Sequence, residues 1–224
     1  WMDWSNGNKN LPPLLMTLFD VWVLKSNSLD VIPNIASWVP IDHAPCPPEV
    51  LKFCQRKNVK PIAMSQFGKR MLEAQDVECF YAPHAIEDVF KPTPKWSNGQ
   101  KELTGREIMG IPEDKFVVMM NSANKGVNPS RKSFAENILA FAVFAQTRPD
   151  AILYLHTESM GSMGGINLMH LLEACGLKPE QYKIIDQYAY RMSVPQGALA
   201  AIYSAADVLL ACSMGEGFGI PVVE

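Results

Sequence analysis

The sequence contains no Cys-x-x-Cys pair. Its five cysteines, Cys46, Cys54, Cys79, Cys175 and Cys212, are odd in number and signal neither a disulfide framework nor a zinc site. They are expected as reduced, mostly buried thiols. A long apolar run is also missing. The longest, "LPPLLMTLFDVWVL", is broken by two prolines and Asp20 and falls short of the roughly 20 residues that span a bilayer. Trp1 opens the chain without a charged leader or a small-residue cleavage site, so nothing at this end reads as a targeting signal, and the sequence is expected to continue upstream. There is no surplus of positive charge: 20 Lys and Arg against 23 Asp and Glu give a formal net charge of -3, which argues against a protein gripping nucleic acid. No G-x-G-x-x-G follows a first strand, which disfavours a dinucleotide oxidoreductase. Internal repeats and low-complexity segments are absent too.

What is present is an ordinary globular composition, 48% hydrophobic and 19% charged over 224 residues, enough for one large domain or two small ones. From residue 115 onward, β-rich and helix-like segments alternate. "KFVVMMN" has the character of a buried parallel strand. "SFAENILAFAVFAQT" follows as a helix, with Phe134, Ile138, Phe141 and Ala145 on one face and Ser133 as its N-cap. Next come a strand "AILYLHT", a helix over 167–174, a strand "YKIID", a helix from about Gln196 to Ser204 and a strand "DVLLACS". The earlier part offers strands in "PLLMTLFDVWVL", "IASWVPI", "KPIAMS" and "VECFYAP", with helices in "PPEVLKFCQRK" and "QFGKRMLEA". Between the halves, "KPTPKWSNGQKE" has the polar, Pro- and Gly-rich composition of a boundary. The pattern predicts an α/β fold of two Rossmann-like domains: residues 1–90, a linker over 91–101, and residues 102–224. Two such domains would face each other across a cleft at the carboxyl ends of their strands, where ligands of parallel sheets bind.

Candidate chemistry should therefore follow strands. "SMGEGFGIPVVE" does so: three glycines turn the chain from a strand into a helix whose first turn holds Pro221. Backbone N–H groups of such a loop suit phosphate or sugar oxygens. Glu224, about one helical turn on, would offer two oxygens to adjacent hydroxyls. The plain alternative is a glycine-rich turn whose Glu216 and Glu224 merely face solvent. A second segment, "NSANKGVNPSRKS", follows the strand 115–121 and carries Lys125, Arg131 and Lys132 to the next helix. Three cations there can neutralise a diphosphate, arginine as a planar fork and lysine as a point charge. The alternative is a solvated basic loop.

These residues resemble a known family. "GEGFGIPVVE" is very like the glutamate, seven residues, glutamate motif of glycosyltransferase family 4, retaining enzymes of the two-Rossmann GT-B architecture. "ALAAIYSAADVLLACSMGEGFGIPVVE" is similar to the family's helix, strand and donor loop. "PSRKSFAENILAF" resembles its phosphate-binding segment, and "YAPHAIEDVFKP" its junction segment. The likeness is strongest from Pro83 to Glu224. It implies a nucleoside-diphosphate sugar as donor, a glycan, lipid or protein as acceptor, and no metal or other cofactor; no Asp-x-Asp sequence appears. It also implies roles. Glu216 would contact the donor sugar and Glu224 the ribose hydroxyls. Arg131 and Lys132 would stabilise the leaving diphosphate. Backbone N–H groups of Gly217, Phe218 and Gly219 would hold sugar or phosphate oxygens.

Departures stand beside the likeness. Where many relatives carry a His-Asp pair after a strand in the first domain, this chain has Phe19-Asp20. Asp20 and His43 are the acceptor-side candidates, although His43 reads first as an ordinary loop histidine. His84 at the junction is expected to pack rather than catalyse, and Ala85 replaces the family's glycine. The glycine-rich loop after the first strand is missing and the chain stops at Glu224 as a helix begins, so both domains are expected to be incomplete. Other readings keep the architecture: a nucleotide-sugar epimerase, a phosphorylase, or a non-catalytic nucleotide- or glycan-binding module. A cytoplasmic location is expected. Lys52, Arg56, Lys57, Lys60, Lys69 and Arg70 would allow peripheral contact with an anionic membrane, or simply form a solvated helix face.

Overall fold

The computed structural model describes residues 13–24, 27–127 and 130–224. Trp1, and Asn128 and Pro129 of the basic segment, lie outside the described residues. The chain divides into two compact units, residues 1–85 with Gly215–Gly219, and residues 86–214 with 220–224.

Among the described residues the first unit holds four strands, β1 (Leu15–Thr17), β2 (Ile35–Val39), β3 (Val59–Ala63) and β4 (Phe80–Tyr81), with helices α1 (Pro48–Cys54) and α2 (Gln66–Glu73). They form one parallel sheet in the order β1-β2-β3-β4. β2 shows why: Ile35, Ser37 and Val39 are buried, whereas Ala36 and Trp38 are half-buried, the two-residue period of a strand. Ile35 and Val39 join Ile41, Val50, Phe53 and Leu72 in the core. Ser65 caps α2 by accepting from Gly68 N at 3.0 Å. The strand expected across 13–24 is only three residues long, because the chain turns at Asp20, whose carbonyl accepts from Val23 N at 3.0 Å, into a 3-10 helix at Val21–Val23.

The second unit opens with an antiparallel hairpin, β5 (Lys95–Ser97) and β6 (Glu102–Thr104), whose first strand and turn lie inside the stretch 91–101 expected to be a linker. Asn98 Oδ1 closes its turn by accepting from Gln100 N and Lys101 N at 2.9 and 2.8 Å. Helix α3 (Gly105–Met109) follows directly, held by a capping box between Thr104 and Glu107. The main sheet contains β7 (Phe116–Asn121), β8 (Ala151–His156), β9 (Tyr182–Ile184) and β10 (Val208–Leu209), all parallel, in the order β10-β7-β8-β9. Helices α4 (Phe134–Thr147), α5 (Leu168–Ala174), α6 (Gln187–Arg191), α7 (Gln196–Ala205) and α8 (Ile220–Val223) complete it.

β7 and β8 are continuous apolar runs because both faces of the sheet are covered. Val118, Met120, Leu153 and Leu155 pack with Phe134, Ile138 and Phe141 of α4 on one face; Val117, Met119, Ile152 and Tyr154 pack with Met109 and Ile202 on the other. This is a Rossmann-like α/β arrangement. Two expected strands are shorter than their apolar runs. "YKIID" pairs only over Tyr182–Ile184, and "DVLLACS" only over Val208–Leu209, because each lies at a sheet edge with one neighbouring strand. Ser133 does not act as a side-chain cap. Its φ of 49° places it in the left-handed region, and its N–H instead closes a turn to Ser130 O at 2.8 Å. The five thiols are unpaired as expected, but Cys212 is exposed and only Cys46 and Cys54 are buried. Among the described residues no helix is long and apolar enough to cross a membrane.

Candidate functional site

In the second unit, the strand order reverses between β7 and β10. The chain builds β7, β8 and β9 outward in one direction, then returns to place β10 on the other side of β7. In an open parallel sheet such a reversal leaves a crevice at the carboxyl ends of the two strands, because their following loops diverge to opposite faces. The basic segment 122–133 leaves β7 there, and the segment 210–214, which leads to the glycine-rich loop, leaves β10.

The two segments are joined. Asn137, on the first turn of α4 and almost fully buried, donates through its side-chain amide to Lys132 O at 3.2 Å and to Cys212 O at 2.7 Å. Met214 N donates to Arg131 O at 2.8 Å. Main-chain atoms of Arg131 and Lys132 are thereby fixed against the strand β10 extension, with the Lys132 side chain half-buried and Arg131 exposed.

Glu224 follows α8 and is half-buried; its Oε2 accepts from Tyr203 Oη at 2.9 Å. Tyr203, in α7, accepts in turn from Asn121 Nδ2 at the end of β7, at 2.7 Å. Asn121, Tyr203, Asn124 and Asn137 escape a reading of sequence alone, since each acts through partners distant along the chain. Asn124 is buried and donates to Glu158 O and Ile166 O at 2.9 and 2.7 Å while accepting from Ile166 N at 2.9 Å. It thus ties the loop after β7 to the loop after β8.

Lys125 is exposed and lines a cavity of about 470 Å³ together with Asn124, Glu158, Met163, Tyr190 and Arg191. Burial raises the proton affinity of the Glu158 carboxyl, but hydrogen bonds from Met160 N, Ser162 N and Gly161 N outweigh it and hold the group below its usual range. His156 ends β8 beside this region, and burial lowers its pKa to about 4. Among the described residues no group of three or more His, Cys, Asp or Glu side chains is spaced to hold a metal ion.

The glycine-rich loop belongs by its contacts to the first unit. Gly217 lies so close to Pro40 that a Cβ there would stand 2.5 Å from the proline ring. Gly219 has φ +86°, a conformation that side chains rarely tolerate. Phe218 meets the His84 ring edge-on at 5.2 Å, and His84 stacks on Trp38 at 4.4 Å, so His84 is a packing residue, as its position at the junction suggested. Glu216 is half-buried in this loop. On the same unit, His43 is exposed and its Nδ1 lies 2.6 Å from Asp42 Oδ1, while Asp20 and Phe19 are exposed beyond β1. The structure therefore gathers Arg131, Lys132 and Glu224 with the second unit, and Glu216, Gly217, Phe218, Gly219, Asp20 and His43 with the first. The chain matches no protein-family model and no curated protein.

Proposed function

We infer that the chain is a retaining glycosyltransferase of family 4, its two Rossmann-like units forming the GT-B arrangement, and that it moves a sugar from a nucleoside diphosphate to an acceptor hydroxyl. One observation carries this reading: the basic segment and the segment entering the glutamate motif leave adjacent parallel strands at the reversal of strand order, joined by Asn137 and Met214. That is where a parallel sheet offers backbone N–H groups and cations to a diphosphate.

In the reaction, the bond between the anomeric carbon and the diphosphate oxygen breaks while the acceptor oxygen bonds to the same face of that carbon. The departing diphosphate takes the acceptor's proton. Negative charge builds on the leaving group, and Arg131 and Lys132 offset it. Glu216 positions the donor sugar and Glu224 holds the ribose, with Gly217, Phe218 and Gly219 presenting backbone N–H groups. Lys125 adds positive potential at the diphosphate. The cations perform the charge stabilisation that a metal would otherwise supply.

The test is turnover of a panel of nucleoside-diphosphate sugars with glycan, lipid and peptide acceptors, comparing the unaltered chain with Glu216→Ala and Lys132→Ala. A fall of about 100-fold or more in each is expected, the scale on which loss of a transition-state charge contact acts. Unchanged rates in both would sink the assignment. Inversion of a sugar stereocentre without any acceptor would point instead to an epimerase, and nucleotide binding without turnover to a binding module.

A further inference from the structure

Three polar side chains meet in the second unit, and two of them have no part in the reaction described above. Asn121 closes β7, Tyr203 lies in α7 and Glu224 follows α8. Asn121 Nδ2 stands 2.7 Å from Tyr203 Oη, which stands 2.9 Å from Glu224 Oε2. The direction of this relay is dictated by chemistry. The amide nitrogen can only donate, so the phenol oxygen accepts from it, and the single phenolic proton is left for the carboxylate, which can only accept. Burial, and the negative charge of Glu224, raise the Tyr203 pKa above its ordinary value, so the phenol stays protonated at neutral pH. Its ring is held at 72° to that of Phe90, with centroids 6.3 Å apart.

A carboxylate left to itself turns freely about its last side-chain bond, where the torsion is broad and two-fold. Adjacent ribose hydroxyls demand one orientation of the carboxylate plane. We propose that Tyr203 is a positioning residue that fixes Oε2 of Glu224, presents the carboxylate to the 2′ and 3′ hydroxyls of a ribose, and so makes the site select ribonucleoside over dideoxyribonucleoside diphosphates. This rests on the donor-site reading given above. Tyr203 itself need not touch the nucleotide. Its contribution is the rotational freedom that Glu224 does not have to surrender on binding.

The measurement is calorimetric titration of the full chain with uridine, guanosine and adenosine diphosphates and with their 2′,3′-dideoxy forms, for the unaltered protein and for Tyr203→Phe. That substitution removes one oxygen and keeps the ring against Phe90. Affinity for the ribose form should fall about three- to ten-fold, the scale of one side chain's lost preorganisation, while affinity for the dideoxy form stays the same. In a Glu224→Ala background, Tyr203→Phe should have no further effect on either form. Equal weakening of both forms, no change in either, or a loss that persists without Glu224 would each overturn the proposal. An unaltered chain that binds the diphosphates without telling ribose from dideoxyribose would overturn it as well, by removing the role of Glu224. An unaltered chain that binds none of them would bring down the donor-site reading beneath it.

Discussion

Asn137 holds Cys212 by a 2.7 Å hydrogen bond to its carbonyl, and the same amide nitrogen reaches Lys132 O at 3.2 Å. One buried side chain on α4 thus joins the segment after β7 to the segment after β10. Replacing it by Leu, of similar size, leaves both carbonyls without that donor. The cost should be about 2–4 kcal/mol in urea denaturation, the sum of lost hydrogen bonds and exposed desolvation penalties. If Asn137→Leu unfolds at the same urea concentration as the unaltered chain, the amide is not holding the two segments.

Arg106 and Asp207 form a second tie. Arg106 is buried and donates to Lys115 O and to Asp207 Oδ2, each at 2.9 Å, while Asp207 Oδ2 also accepts from Val117 N at 2.7 Å. The carboxylate therefore locks the entrance of β10 to the start of β7 and to α3. Asp207→Ala strands a buried guanidinium and should destabilise by roughly 2–3 kcal/mol, at the low end for a broken buried pair because the carboxylate is partly exposed. Asp207→Asn, which can still accept from Val117 N, should recover part of that loss. Thermal or urea unfolding of the two variants side by side decides it; equal losses would assign the whole effect to charge.

His156 gives the molecule an acid-sensitive point. Its ring lies between those of Tyr154 and Tyr190, at 6.3 and 5.8 Å, and its Nδ1 has no hydrogen-bond partner. Burial lowers its pKa to about 4, whereas in the unfolded chain it titrates near its ordinary value of about 6.5. Between these values the unfolded chain holds a proton that the folded chain does not. The stabilisation is fully present above about pH 6.5 and is lost as pH falls towards 4, roughly 3 kcal/mol in total. His156→Phe should flatten the dependence of unfolding free energy on pH across this window. An unchanged slope would show that other groups carry it.

Much of the fold could be read from the sequence because burial on both faces writes a strand as an unbroken apolar run. "FVVMMN" and "AILYLH" sit at the sheet centre for that reason, and the spacing of Phe134, Ile138, Phe141 and Ala145 places the buried face of α4 correctly. Polar elements were harder. The first strand and turn of the hairpin 95–104 lie in a stretch whose composition suggests a linker, yet its Asn98-Gly99 pair is the usual signal of a tight turn, and Thr104 with Glu107 is a capping box. Ser133 had the residue type of a cap but not the backbone angle. The candidate site was legible as motifs, whereas its supports were not. Tyr203 and Glu224 are 21 residues apart, Asn137 and Cys212 75, and no local spacing announces either pair.

The cationic pair offers the sharpest separation between a diphosphate site and a basic loop. Arg131 and Lys132 are assigned to phosphate oxygens, so their removal should matter only when phosphates are present. For Arg131→Ala combined with Lys132→Ala, affinity for a nucleoside diphosphate should drop about 10- to 100-fold, the loss expected from two charge-assisted contacts, while affinity for the matching nucleoside stays unchanged. The deficit should shrink as salt rises from 50 to 500 mM, because screening weakens the interaction in the unaltered chain and leaves less to lose. Main-chain ties from Met214 and Asn137 to these two residues use carbonyl oxygens and survive truncation to alanine, and the matching nucleoside is the control for any distortion of the loop. Equal loss for nucleoside and diphosphate would mean the substitutions distort the loop, and no loss for either would return the segment to an ordinary solvated surface.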